Sequence, residues 1–140
     1  MLKPNSKTYR KYNKGRNITK KELKACALKF GTHGIQALEK GRISAHQIES
    51  VRRTITNFLK RHGKLWIRIF PDYPITKKPN EVRMGKGKGN VAFWVCNVKP
   101  GRILYELTGT NFRLLSAALE YASLKLPIAN KIITREFLEK

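Results

Sequence analysis

The decapeptide EVRMGKGKGN, residues 81–90, alternates Gly85, Gly87 and Gly89 with Lys86 and Lys88, directly after Arg83 and Met84. Glycine lets a backbone approach a phosphate chain closely, and lysine neutralises phosphate from almost any angle. Phosphate binding is therefore the chemistry these residues could do. A nucleotide-binding P-loop needs a Gly-Lys pair followed by Ser or Thr, set between a strand and a helix. Here the run ends in Asn90 and leads into VAFWVCNV, a strand-like stretch, so that motif fails. The dinucleotide fingerprint G-x-G-x-x-G fails as well, because the three glycines alternate strictly.

The other reactive side chains form no constellation. His33, His46 and His62 have no carboxylate or cysteine at a mechanistic spacing, and are read as surface or RNA-facing residues. Cys26 and Cys96 lack a second cysteine or a histidine at metal-ligand spacing, so no zinc site is expected. They are read as reduced, packed residues. With only 9 Asp and Glu in the chain, a magnesium cage is disfavoured. No catalytic residue, metal or cofactor is expected, and the chain does not read as an enzyme.

Charge points to a partner. The 140 residues carry 30 Lys and Arg against 9 Asp and Glu, a formal net charge of +21. A domain of this size repels itself at such a charge, and a bound polyanion relieves the repulsion. Residues 1–29 alone carry ten basic residues and one acid, Glu22. Lys7, Arg10, Lys11, Lys14 and Arg16 in this basic arm are candidate phosphate contacts, and Tyr9 and Tyr12 are placed to stack on bases. No stretch is apolar for long enough to span a membrane, and the start has neither an apolar signal core nor a transit-peptide pattern. No membrane and no small-molecule substrate are expected.

These residues need elements to hold them. ACALKFGTHGIQALEKGRIS reads as two short extended segments with turns at Gly31, Gly34 and Gly41, placing His33 in a turn. SAHQIESVRRTITNFLKRHG reads as a helix, with Ser44 and Gln47 as a capping box and Gly63 at its C-terminal end. Ile48, Val51, Ile55, Phe58 and Leu59 make its apolar stripe; Arg52 and Arg53 lie off that stripe as candidate RNA contacts. KLWIRIF (64–70) alternates as a strand, with Ile67 and Ile69 opposite Trp66, Arg68 and Phe70. Three prolines then predict a long loop over 71–90, which also carries Lys77. Residues 91–98 read as a buried strand that pairs through the Lys99-Pro100-Gly101 turn with a strand over 102–107, as a hairpin. A second helix is expected over about 111–125, stopped by Pro127, and a last strand over 128–135. The expected fold is α+β, a two-layer α/β sandwich of two helices on a mostly antiparallel sheet. Residues 1–22 form the arm, and 23–140 a single RNA-binding domain with the loop 71–90 extended from it.

Much of the chain also resembles a known family. RTITNFLKRHGKLWIRIFPDYPITKKPNEVRMGKGKGN, then FWVCNVKPGRILYEL and KLPI, are similar to the large-subunit ribosomal proteins numbered sixteen in the bacterial series. The opening MLKPNSKTYRKYNKGRN and the helix start GRISAHQIESVRR carry the same resemblance, which spans about residues 1–130. It implies an α/β sandwich docked on large-subunit ribosomal RNA, near the base of the central protuberance. It further implies a place beside the aminoacyl-site tRNA, among neighbouring large-subunit proteins, with the glycine-lysine loop pointing toward the peptidyl transferase region. The implied role is assembly and tRNA positioning. Arg83 matches a position hydroxylated in some bacterial members. The helix start departs from the usual threonine-alanine-arginine-glutamine, with His46 where the arginine stands, and KKELKACALKF and ANKIITREFLEK are atypical. Abundant Lys, Asn and Ile fit an AT-rich genome, so an organelle-encoded mitochondrial ribosomal protein is expected, with plastid or bacterial cytoplasm as alternatives. A free nucleic-acid-binding regulator outside the ribosome is the competing class.

Overall fold

The structure is a computed structural model that describes residues 2–5, 8–13, 20–60, 62–109 and 111–135. Among these described residues, two helices and seven strands follow the chain in the order β1 (His33–Ala37), β2 (Gly41–Ser44), α1 (Ala45–Leu59), β3 (Lys64–Ile67), β4 (Tyr73–Lys77), β5 (Asn90–Val98), β6 (Ile103–Thr108), α2 (Phe112–Ser123) and β7 (Asn130–Thr134). Every pairing is antiparallel, in a four-stranded sheet β3-β6-β1-β7 and a three-stranded sheet β2-β5-β4. This is an α+β fold, as the pattern of strands and amphipathic helices predicts.

α1 begins where its capping box lies. Ser44 Oγ accepts the Gln47 N–H at 3.3 Å, and Gln47 Oε1 accepts the Ser44 N–H at 2.8 Å. Ile48, Val51, Ile55 and Leu59 are buried at helical spacing, while Phe58 is half-buried and stacks on Tyr121 of α2 at 4.8 Å. α2 opens on Asn111, whose Oδ1 accepts the Leu114 N–H at 3.2 Å, and packs Leu115, Ala118, Leu119 and Ala122 inward. The apolar faces of both helices meet Ile35, Tyr105 and Leu107 of the four-stranded sheet in one core. Tyr105 is fully buried, and its hydroxyl donates to Ile48 O at 3.2 Å, joining sheet to α1. Burial raises that phenol's pKa, which keeps the donor in place.

Several expectations are corrected. Gly63 does not end α1: Lys60 takes the left-handed turn there at φ 43°. Gly63 is instead required by space, since a Cβ on it would sit 2.8 Å from Thr108 O of β6. The proline-rich stretch is not all loop, because β4 lies within it. Pro74 is accommodated because β4 is an edge strand paired only with β5, so its missing N–H breaks no interior ladder. The loop proper is thus 78–89. Residues 91–98 and 102–107 form no hairpin: β5 pairs with β2 and β4, whereas β6 pairs with β1 and β3. The intervening turn is tied to β1, with Gly101 N–H donating to Ala37 O at 2.7 Å and Ala37 N–H to Arg102 O at 2.9 Å. It carries the chain from one sheet to the other. Finally, β5 is only partly buried; Val95, Cys96 and Val98 face the core, whereas Phe93 is 42% exposed.

His33 also departs from expectation. It lies in β1, buried, with its ring 4.4 Å from Phe112 and its Nδ1 2.8 Å from Thr32 Oγ1. Burial lowers its pKa, which favours the neutral ring. His46 and His62 are exposed. Both cysteines are free; Cys96 is packed, but Cys26 is exposed. The ladder of β3 stops at Ile67, short of the expected strand end at 70, although Arg68 N–H still reaches Leu104 O at 2.9 Å.

Glu106 of β6 is an element that sequence reasoning missed. Its side chain is fully buried, and Oε2 accepts three successive backbone N–H groups, from Lys29 at 3.1 Å, Phe30 at 2.6 Å and Gly31 at 2.8 Å. Oε1 accepts from Arg68. One carboxylate therefore fastens the segment before β1 to the four-stranded sheet. A lone acid on an apolar strand gave no sign of this, because Arg68 is 38 residues away and the other partners are backbone groups more than seventy residues away.

Candidate nucleic-acid interface

Loop 78–89 is exposed along residues 81–88, and Met84 is 99% exposed. Its backbone turns through three consecutive left-handed residues, Gly85 at φ 95°, Lys86 at φ 54° and Gly87 at φ 86°. A Cβ on Gly85 or Gly87 would meet nothing within 4 Å, so these two glycines serve conformation. Gly89 serves space, since its Cβ would lie 2.6 Å from Lys77 O at the end of β4. Lys78 Nζ donates to Gly85 O and folds the loop back on its base. The expected result for Gly89→Ala is a destabilisation of about 1–3 kcal/mol, because backbone must move to relieve the contact. Thermal unfolding of that variant beside the wild type measures it.

The structure brings the arm to this loop. Lys11 Nζ donates to Lys88 O at 3.1 Å, and Lys88 Nζ donates to Tyr12 O. The Tyr12 ring lies 5.6 Å from the Tyr73 ring, and Tyr73 Oη donates to Asn13 O. The Arg42 guanidinium sits 5.5 Å over Tyr73. Leu2, at the start of the arm, packs against the core. Residues separated by some seventy positions thus form one cationic surface, with Arg10, Lys77, Arg83 and Lys86 exposed on the same segments. Glu81 is the only acid in loop 78–89. Lys7, Lys14 and Arg16 lie outside the described residues.

Arg52 and Arg53 stand apart from this set, on α1. Arg52 holds Glu49 through two bonds, at 2.8 and 2.6 Å, and Arg53 adds a third at 3.2 Å. The hydrogen bond from Arg52 leads in pulling the Glu49 carboxyl down to about 2, against the opposing effect of burial. Three charges there sum to one. Sequence reasoning missed Tyr73, Arg42 and Lys78 as organisers of the surface, because Tyr73 falls in a stretch whose prolines read as loop.

An open cleft of about 560 Å³ lies between the two sheets, lined by Arg68, Asp72, Tyr73, Cys96, Asn97 and Arg102 among others. Burial leads in raising the pKa of the Cys96 thiol, which disfavours the thiolate a nucleophile requires.

The geometry defines an α+β domain that presents an exposed, cationic glycine-lysine loop tied to Lys11 and Tyr12. The chain belongs to the family described as ribosomal protein L16p/L10e, which matches residues 4–133. It is 53% identical over 135 residues to the large ribosomal subunit protein uL16 of Buchnera aphidicola, covering 96% of this chain and 98% of that one. The uL16 proteins of Acinetobacter baylyi and Psychrobacter cryohalolentis are 52% and 51% identical, over 96% and 99% of this chain and 98% and 100% of theirs.

Proposed function

We propose that this chain is a structural constituent of the large ribosomal subunit that binds large-subunit ribosomal RNA through its arm and loop. The carrying observation is the junction of Lys11 and Lys88, which joins the basic arm to an exposed loop holding Arg83, Lys86 and one acid. Family membership and relatives named as large-subunit proteins support the ribosomal setting. The glycines keep the loop slender, which suits a narrow RNA channel and, as the family resemblance implies, contact with aminoacyl-site tRNA near the peptidyl transferase centre. Residues 1–22 act as the arm and 23–140 as the RNA-binding domain, with neighbouring large-subunit proteins as further partners. The role is one of assembly and positioning rather than catalysis.

The relatives named above are bacterial. An organellar origin therefore rests on composition alone, and a bacterial-type ribosome is the setting the relatives favour. Sucrose-gradient sedimentation of a tagged copy in a bacterial host tests the proposal. The chain is expected in the large-subunit and whole-ribosome fractions; recovery only in the light soluble fractions would point to a free regulator instead.

A further inference from the structure

The edge of the four-stranded sheet carries a feature that the arm and loop leave unused. Phe30 is 51% exposed although its own N–H is fixed on the buried Glu106 carboxylate at 2.6 Å. Its ring lies over Trp66 of β3, with centroids 6.0 Å apart and planes 20° from parallel. Lys29 Nζ and the Arg68 guanidinium lie 5.8 and 5.1 Å from the Phe30 centroid, and Lys64 Nζ lies 5.2 Å over Trp66. Glu106 is fully buried and engaged by Arg68 and three amides, so its charge does not reach the surface. Lys29 and Lys64 are exposed.

An aromatic ring held rigidly by its backbone, half open and framed by cations, matches the way proteins take unpaired nucleotides. The base stacks on the ring, and flanking phosphates meet the cations. We propose that Phe30, backed by Trp66, stacks on an unpaired base of large-subunit ribosomal RNA while Lys29 and Lys64 contact the adjoining phosphates. This rests on the RNA-binding proposal above and adds a second contact, on the other sheet. Rigidity matters because the ring is already ordered before the base arrives, so little freedom is lost on binding.

Filter binding of the full chain to transcribed bacterial large-subunit ribosomal RNA, over a series of salt concentrations, tests it. Phe30→Ala is expected to weaken binding by about fivefold to a hundredfold with an unchanged salt slope, since a stacked base is lost and no phosphate contact is. Phe30→Trp should restore the affinity. Phe30→Leu keeps apolar bulk against Trp66 but has no π-face; it should bind as weakly as Phe30→Ala while melting near the wild type. The Lys29→Ala, Lys64→Ala double variant should instead lower the salt slope by roughly one to two. Wild-type affinity in both Phe30→Ala and Phe30→Leu would overturn the stacking. So would variants that bind RNA normally yet are lost from assembled subunits, which would assign the patch to a protein neighbour. If the wild-type chain fails to bind this RNA, the parent proposal falls. If it binds, and loop variants weaken it while Phe30 variants do not, only the stacking falls.

Discussion

Replacing Arg83, Lys86 and Lys88 together with alanine is expected to reduce affinity for large-subunit ribosomal RNA by roughly a hundredfold or more near 0.1 M salt. Each phosphate neutralised on a single strand contributes a slope of about 0.7 in log affinity against log salt, and somewhat more on a duplex. Three lost contacts should therefore flatten the slope by about two to three. The fold should survive, because all three side chains are exposed and none enters the core. Lys86 does sit at φ 54°, but alanine meets the same strain there, so the substitution changes little in stability. Subunits carrying the triple change should show slowed tRNA accommodation or late assembly. An unchanged salt slope together with normal peptide synthesis would refute the role given to the loop.

The second large effect is expected far from that loop. Glu106→Ala should destabilise the chain by about 3–5 kcal/mol, since it strands a partly buried arginine and three backbone N–H groups at once. For a chain of this size that lowers the melting temperature by on the order of 10 °C or more. The pH dependence follows from the same site. Burial alone would push this carboxyl up, but the amides of Gly31 and Phe30, the Arg68 guanidinium and the Lys29 amide outweigh it and hold the pKa below the ordinary carboxylate range. A depressed folded-state pKa means the stabilisation is complete above the unfolded value of about 4.3 and fades as pH falls through the folded one. Glu106→Gln should flatten the acid limb of the stability profile relative to the wild type. Chemical denaturation of both proteins between pH 7 and pH 2 measures the difference, and parallel profiles would show that the carboxylate is not the acid-sensitive group.

The two sites differ in how far sequence revealed them. The loop was legible because glycine and lysine in strict alternation can serve few purposes, and both nucleotide motifs could be excluded by spacing. The helices were legible for a related reason: Ser44 with Gln47, and the apolar stripe from Ile48 to Leu59, are local signals that the structure keeps. What failed was non-local. The turn at Pro100 and Gly101 looks like a hairpin in isolation, but its polar groups bond to Ala37 and Glu22, and the strands on either side join different sheets. The prolines in and around β4 hid a strand because an edge strand tolerates what an interior one does not. His33 read as a turn residue, since nothing nearby in the chain announces Phe112 as its cover. Glu106 was invisible on the same ground: the amides it collects carry no side-chain signature.

The junction of arm and loop has a consequence for the chain before it meets RNA. Lys11 and Lys88 each donate to the other segment's backbone, so two positively charged strips are clasped through lysine-to-carbonyl bonds. Mobile anions that shield like charges from each other favour this clasp, whereas mobile cations compete with the protein for phosphate. On the RNA-binding proposal, ionic strength should therefore act on the free and the docked chain in opposite directions, favouring the clasp in the one and loosening the grip in the other. A chain that keeps this junction would then offer RNA its two cationic segments already side by side, and docking would exchange small shielding anions for a single fixed one.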